Sequence, residues 1–276
     1  MSWSNLMAKT GFMLIVAITV LLSLLPFLWF LLTSLKTPIE VTAIPPALIP
    51  SFSLDFYQSA FKSYNLQLYL KNSLIVALST TLICMVLATF AGYALSRTKI
   101  RGKGVILGLF LAVSMFPQIS IAGPVWRILR DFGWLNSYQG LILPYVALTL
   151  PLAVWIMATF FRDFPWELEH AALIDGSSRI GAIFRVVLPL SAPGFFTASI
   201  LVFIYTWNEF FFALLIMTDP SMQTLPVGIA LFPGEFTMPW GEIAAASVVS
   251  TIPLIFMVLI FQRRIIQGLT AGSVKG

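Results

Sequence analysis

This 276-residue chain has one cysteine, one histidine and few charges. Cys84 stands alone inside an apolar run, which excludes an intramolecular disulfide and a thiolate metal cluster. A small buried apolar residue is its plain reading. With His170 the only histidine, multi-histidine metal sites are excluded and a Ser/His/Asp hydrolase is improbable. The pattern G-x-x-x-x-G-K-[ST] is absent, and with it an ATP site of the Walker type. No Lys/Arg run is interleaved with stacking aromatics, so the net charge of +5 does not read as a nucleic-acid surface. No internal repeat or low-complexity tract is visible. Charged residues make up only 10% of the chain, against about 25% in soluble globular domains.

What fills the space is apolar. Hydrophobic residues are 59% of the chain, and mean hydropathy is +0.94. These values describe an integral membrane protein. Each span needs about 20 mostly apolar residues, and six are expected, at 11–34, 70–95, 104–121, 138–161, 190–217 and 243–261. The first run is too long for a secretory signal and lacks a cleavage site, so it reads as a retained span. Pro26 and Pro117 fall inside spans. Ser73, Ala77, Thr81, Ala88 and Gly92 give the second span small residues suited to close packing.

The connections divide into two kinds. Residues 36–69 form a long, proline-rich polar loop with a short helix expected at 54–62. A short basic loop follows the second span, and residues 163–189 form the longest polar stretch of the second half. Eleven of the sixteen Lys and Arg residues fall on one side if the loops after the second and fourth spans, residues 1–10 and the tail 262–276 share it. The positive-inside bias then puts both termini in the cytoplasm and 36–69 outside.

The loop 163–189 has local structure written into it. Asp163 and Pro165 suit a helix start, and Glu167 and Glu169 fall in the first turn, where the helix dipole favours acids. Ala171 and Ala172 give this helix a small-residue face that a partner can approach closely. Asp175 precedes Gly176, which supplies the left-handed residue that ends a helix. Ser177 or Ser178 can cap a second helix, in which Ile180, Ile183, Phe184 and Val187 recur at helical spacing. Leu188-Pro189 leads to the fifth span. A helix–turn–helix is expected.

Glu169-His170-Ala171-Ala172, then Asp175-Gly176, then Leu188-Pro189 resembles the cytoplasmic signature loop of ABC importer permeases. The tail Gly268-Leu269-Thr270-Ala271-Gly272 and Val274-Lys275-Gly276 resembles that of the smaller permease of maltose-type sugar importers. Trp207-Asn208-Glu209-Phe210, Asn72-Ser73, Gly92–Arg97 and Leu141–Pro144 are also similar to that carbohydrate family. The resemblance implies an all-α membrane protein of the type I importer permease fold: six transmembrane helices and a cytoplasmic coupling helix–turn–helix. It implies a second homologous permease, an ATP-binding subunit dimer that carries ATP and Mg, an extracytoplasmic solute-binding protein, and no cofactor on this chain. In the family the tail runs along the ATPase interface.

Two residues depart from the pattern or stand out within it. His170 occupies the position where the family has the Glu of Glu-Ala-Ala, so the family's salt bridge does not carry over. It makes either a neutral hydrogen bond at the interface or a pH-sensitive contact, since histidine titrates near neutrality. Glu209 lies deep in the fifth span, where a carboxylate costs about 2.5–3.5 kcal/mol on insertion scales. It either lines the translocation path or holds the two permeases together. The expected function is the transport subunit, not an enzyme, of an importer for a sugar, oligosaccharide or glycoside in the bacterial inner membrane. A permease for a non-sugar solute and an ion-driven secondary carrier are the alternatives.

Overall fold

The computed structural model describes residues 3–233 and 238–270, with side chains at 9–233 and 238–262. Every regular element among them is helical. The chain begins with α1 (Trp3–Ser34), the short α2 (Pro38–Thr42) and α3 (Asp55–Lys62), then α4 (Leu66–Arg97). Next come α5 (Lys103–Ser114), α6 (Gln118–Asp131), α7 (Tyr138–Asp163) and α8 (Trp166–Ile174). The helical stretch α9 (Arg179–Leu190) leads to α10 (Ala192–Asn208). The series closes with α11 (Phe211–Ile216), α12 (Leu225–Ala230) and α13 (Trp240–Thr270). Of the tail residues, Gly268, Leu269 and Thr270 are described only as backbone of α13, and Ala271, Gly272, Val274, Lys275 and Gly276 lie outside the described residues.

Helices α1, α4, α7 and α13 each carry an apolar stretch long enough to cross a bilayer. Two bent pairs bring the number to six by length and composition: α5 with α6 at 89°, and α9 with α10 at 83°. The third span therefore differs from a single helix at 104–121. Pro117 disfavours helical backbone at the residue before it; α5 ends at Ser114, and α6 restarts after Pro117 and continues through Trp126 to Asp131. Residues 122–131, beyond the expected span, are therefore helical as well.

The described residues fall into two compact units, the described parts of Met1–Gln67 with Ile229–Ile252, and those of Leu68–Gly228 with Pro253–Gly276. In the first, the apolar window of α1 has none of its residues buried by the chain, a surface fit for lipid or another subunit. α3 turns Phe56 and Ala60 inward. Gly241 lies so close to the Phe56 ring that a Cβ there would overlap it. Ser59 Oγ donates to Glu242 Oε1 at 3.1 Å.

In the second unit α4 packs against α7 at contact range. A Cβ on Gly92 would stand 2.8 Å from the Met157 Cβ, so glycine sets the closeness of the two helices. Ser73, Ala77 and Ala88 are buried along α4 as expected from their size. Asn72 Nδ2 donates to Ser221 O and Gln223 O at 3.0 and 2.9 Å, and Asn72 Oδ1 accepts from Tyr138 at 2.8 Å. Two apolar clusters result, one around Met157 and Phe161, the other around Tyr145 and Phe212.

Candidate functional site

Beyond α7, Pro165 takes extended backbone (φ −60°, ψ 132°) and opens the nine-residue α8. The helix ends in a closed turn: Asp175 N donates to Ala171 O at 2.9 Å and Ser177 N to Ala172 O at 3.0 Å. Gly176 has φ +87°. No atom lies within 4 Å of where its Cβ would be, so backbone conformation alone calls for glycine here. Ser178 is the cap of the second helix, its Oγ accepting from Gly181 N at 3.1 Å.

The second helix departs from the expected face. Ala182, Ile183 and Val187 are buried, whereas Ile180 is 62% and Phe184 50% exposed. A π-helical turn occupies Ile183–Val187, and its one extra residue re-aims the chain that follows it, toward Leu188. Pro189 follows; it has no N–H for the Arg185 carbonyl four residues back, and the wider turn accommodates it. Leu188 packs on the core around Met157, and Pro189 is exposed.

α8 is held from within by its third residue after Trp166. Glu169 is 4% exposed and accepts a hydrogen bond from the Tyr93 hydroxyl. Its Oε2 lies 3.8 Å from Arg97 Nε, and the two side chains are 6% and 1% exposed. Arg97 Nη2 donates to Phe164 O at 2.5 Å. The guanidinium also lies over the Phe164 and Trp166 rings, at 5.3 and 4.6 Å. One arginine at the end of α4 thus grips both sides of the Pro165 corner. Its Nε and Nη1, and Glu169 Oε2, have no hydrogen-bond partner.

The residues proposed for coupling therefore separate into two sets. Glu167, His170, Ala171, Asp175 and Gly176 are exposed, Ala172 is half-buried, and Glu169 points into the protein. The family's glutamate position, here His170, is on the outward side, with its ring edge-on to Trp166 at 6.1 Å. Ile174 at 86% exposed adds a large apolar side chain to that surface. Sequence reasoning misses Ile174, and misses Tyr93 and Arg97 as site residues. A signal for the last two exists: they stand four apart on one helix face, at the end of a span.

The fifth-span triplet does not form one surface. Trp207 is 3% exposed and stacks on Phe203 at 5.6 Å. Asn208 is exposed and donates to its own helix at Ile204 O. Glu209 is 8% exposed and occupies a break between α10 and α11. Its Oε1 accepts from Phe212 N at 3.0 Å, and its Oε2 from Ala213 N at 3.2 Å and from the Tyr145 hydroxyl. The carboxylate caps α11 inside its own chain, a role distinct from both of those expected from the sequence.

Beside the α5–α6 break a cavity of about 240 Å³ is lined by Ser114, Phe116, Gln118, Thr149 and Tyr205, among others. Gln118 Nε2 donates to the Tyr205 hydroxyl. Among the described residues no three His, Cys, Asp or Glu side chains converge as metal ligands would.

Residues 84–271 match the family model described as "Binding-protein-dependent transport system inner membrane component". The chain is 46% identical to the sulfoquinovosyl glycerol transport system permease protein SmoH of Agrobacterium fabrum, covering 92% of this chain and 89% of that protein. It is 44% identical to the trehalose/maltose transport system permease protein MalG of Thermococcus litoralis, covering 93% of each. The trehalose transport system permease protein SugB of Mycobacterium tuberculosis is also 44% identical, with 92% of this chain and 93% of that one covered. Among solved structures, a chain of a bacterial ABC transporter involved in import of the acidic polysaccharide alginate superposes with a TM-score of 0.81 at 21% identity. That match covers 95% of this chain and 98% of the other, and gives the fold. The chain belongs to the family of binding-protein-dependent transport system inner membrane components.

Proposed function

We propose that this chain is one of two permeases of an ATP-driven importer for a sugar, oligosaccharide or glycoside. The single observation that carries the coupling part is α8. It is a short helix that exposes His170, Ala171 and Ile174 to solvent while Glu169 ties it to the end of α4. A helix that exposes a large apolar residue beside small ones suits a groove on a partner protein. The sugar class is supported by the named solutes of the relatives, a sulfoquinovosyl glycerol, trehalose and maltose.

In this mechanism ATP and Mg bind a separate ATPase dimer, this chain holds no cofactor, and ATP hydrolysis is not its own. Closure of the dimer moves α8, and the loop 163–189 passes that motion through Arg97 to α4. The cavity between this permease and its homologue then opens outward to a solute-loaded extracytoplasmic binding protein. Both termini lie in the cytoplasm of a bacterial cell, 36–69 lies outside, and the tail 262–276 follows the ATPase interface. An ion-driven carrier would need a membrane carboxylate free to take up and release a cation. Glu209 has both oxygens engaged by Tyr145, Phe212 and Ala213, which favours the ATP-driven reading.

Affinity purification of the chain from its native membrane tests this. A homologous permease and an ATPase should accompany it, and the assembly should hydrolyse ATP faster with a sugar-loaded binding protein. A lone chain that catalyses proton- or sodium-driven uptake would overturn the proposal.

A further inference from the structure

Lys36 closes the first span with its side chain inside the protein. The residue is 3% exposed, and its Nζ lies 4.7 Å from the Trp29 ring centroid. Neither of the ion pairs Arg97–Glu169 and Arg130–Asp131 includes Lys36. The described acids of the same unit are engaged elsewhere or exposed. Glu40 accepts from Thr37 N at 2.8 Å and Ser51 Oγ at 2.5 Å, Glu242 accepts from Ser59, and Asp55 stands exposed at the start of α3.

A buried hydroxyl without a partner lines the same cavity as Lys36. Thr33 Oγ1 is buried with no hydrogen-bond partner, although Thr19 on the same helix bonds back to Ile15 O at 2.9 Å. Thr33 and Lys36 line one cavity of about 320 Å³, whose other walls include Trp29, Val41, Pro46 and Trp240. The cavity thus combines an ammonium, a hydroxyl, two indoles and aliphatic surface.

A buried cation is tolerated when an anion or dipoles meet it. Attraction to the Trp29 face goes part of the way, and none of the described carboxylates forms an ion pair with Lys36. The missing anion must also carry an apolar body, because most of the cavity wall is apolar. Location selects among such molecules. The site lies where the bilayer-length apolar run of α1 ends, and that run is uncovered by the rest of the chain. Indoles favour this depth, where apolar and polar surroundings meet.

We propose that this cavity binds the phosphate headgroup of an anionic phospholipid. Lys36 and Thr33 donate to the phosphate, Trp29 and Trp240 pack against the glycerol region, and the acyl chains follow α1. A free phosphate ion offers the same oxygens without the apolar part.

The test uses the purified membrane assembly containing the full chain, delipidated and exposed to phosphatidylglycerol or phosphatidylcholine, with bound lipid counted by native mass spectrometry. Phosphatidylglycerol should be retained at concentrations where phosphatidylcholine is lost, and millimolar inorganic phosphate should not displace it. Lys36→Gln should weaken retention about ten- to a hundred-fold, as loss of a charge-assisted bond does, while Lys36→Arg keeps it. Thr33→Val has the same shape and should weaken retention less; it keeps the proposal testable if Lys36→Gln is not produced. Equal retention by wild type and both Lys36→Gln and Thr33→Val would overturn the proposal. Displacement by inorganic phosphate, or equal retention of the two lipids, would do so as well.

Discussion

Arg97 Nε stands 3.8 Å from Glu169 Oε2, inside the protein, with the guanidinium also bonded to the Phe164 carbonyl. The two ends of this pair belong to different elements, the end of α4 and the first turns of α8. The pair therefore joins α8 to α4.

Removal of one partner should cost far more than removal of both. Arg97→Met or Glu169→Gln alone strands a buried charge, which destabilises by about 3–5 kcal/mol. The double variant Arg97→Met with Glu169→Gln should lie closer to wild type in thermal unfolding of the purified assembly. Its sugar-stimulated ATP hydrolysis should still fall, because the link is gone while the fold remains. Additive losses of stability would show that the pair does not interact.

Gly176 holds φ +87° with open space around it. Gly176→Ala should therefore cost about 1–2 kcal/mol of local backbone strain without a clash, and Gly176→Asn less. The expected result is a subunit present at normal level in the membrane with lowered coupled ATPase, alanine worse than asparagine. Equal activity of all three would mean the left-handed turn is unimportant.

Glu209 satisfies two backbone N–H groups and the Tyr145 hydroxyl. Glu209→Ala leaves three donors without an acceptor, at about 1–3 kcal/mol each where they stay dry. Loss of the folded chain itself is expected, seen as low yield and early thermal unfolding. Glu209→Gln keeps acceptors and should be recovered. Tyr145→Phe should be milder than Glu209→Ala. A stable, well-folded Glu209→Ala chain that merely fails to transport would point back to a role in the translocation path.

Much of the loop 163–189 was legible from residues alone. Pro165, the first-turn acids, Gly176 and a serine cap are short-range signals, and each acts where its chemistry requires. The direction of Glu169 was not legible, since its partner Tyr93 lies 76 residues away. Ile180 and Phe184 were misplaced because helical spacing marks an apolar stripe but not which of its residues meet a packing surface; Ala182, Ile183 and Val187 take the inward side. Pro117 falls inside one expected span, and the structure breaks that span there into α5 and α6, which meet at 89°. Glu209 was visible as a charge in a span; its capping role appears only once α10 is known to stop at Asn208.

Glu40 gives a pH prediction outside the membrane. Its carboxylate accepts from the Ser51 hydroxyl and from the Thr37 and Ser51 amides, which lower its pKa from 4.5 to about 2. The folded value is depressed, so the tie is fully present above the unfolded pKa and is lost as pH falls from there through about 2. A fluorophore on Ile49→Cys reports it, since Ile49 is 81% exposed and Cys84 is buried. Probe anisotropy should hold down to about pH 4 and fall below it. Glu40→Gln should lower it already at neutral pH. An unchanged anisotropy in Glu40→Gln would mean that the carboxylate does not tie the loop.

The central claim is that α8 docks on a separate ATPase. A photo-reactive amino acid at Ala171, and in a second variant at Ile174, tests it in native membranes. Both positions are exposed on the helix that Glu169 anchors. Irradiation should join this chain to an ATP-binding subunit from both positions, and not from Ile49 in the loop 36–69, which the positive-inside bias places outside. Capture of no ATPase from either position, in membranes from which the whole assembly can still be purified, would contradict the claim.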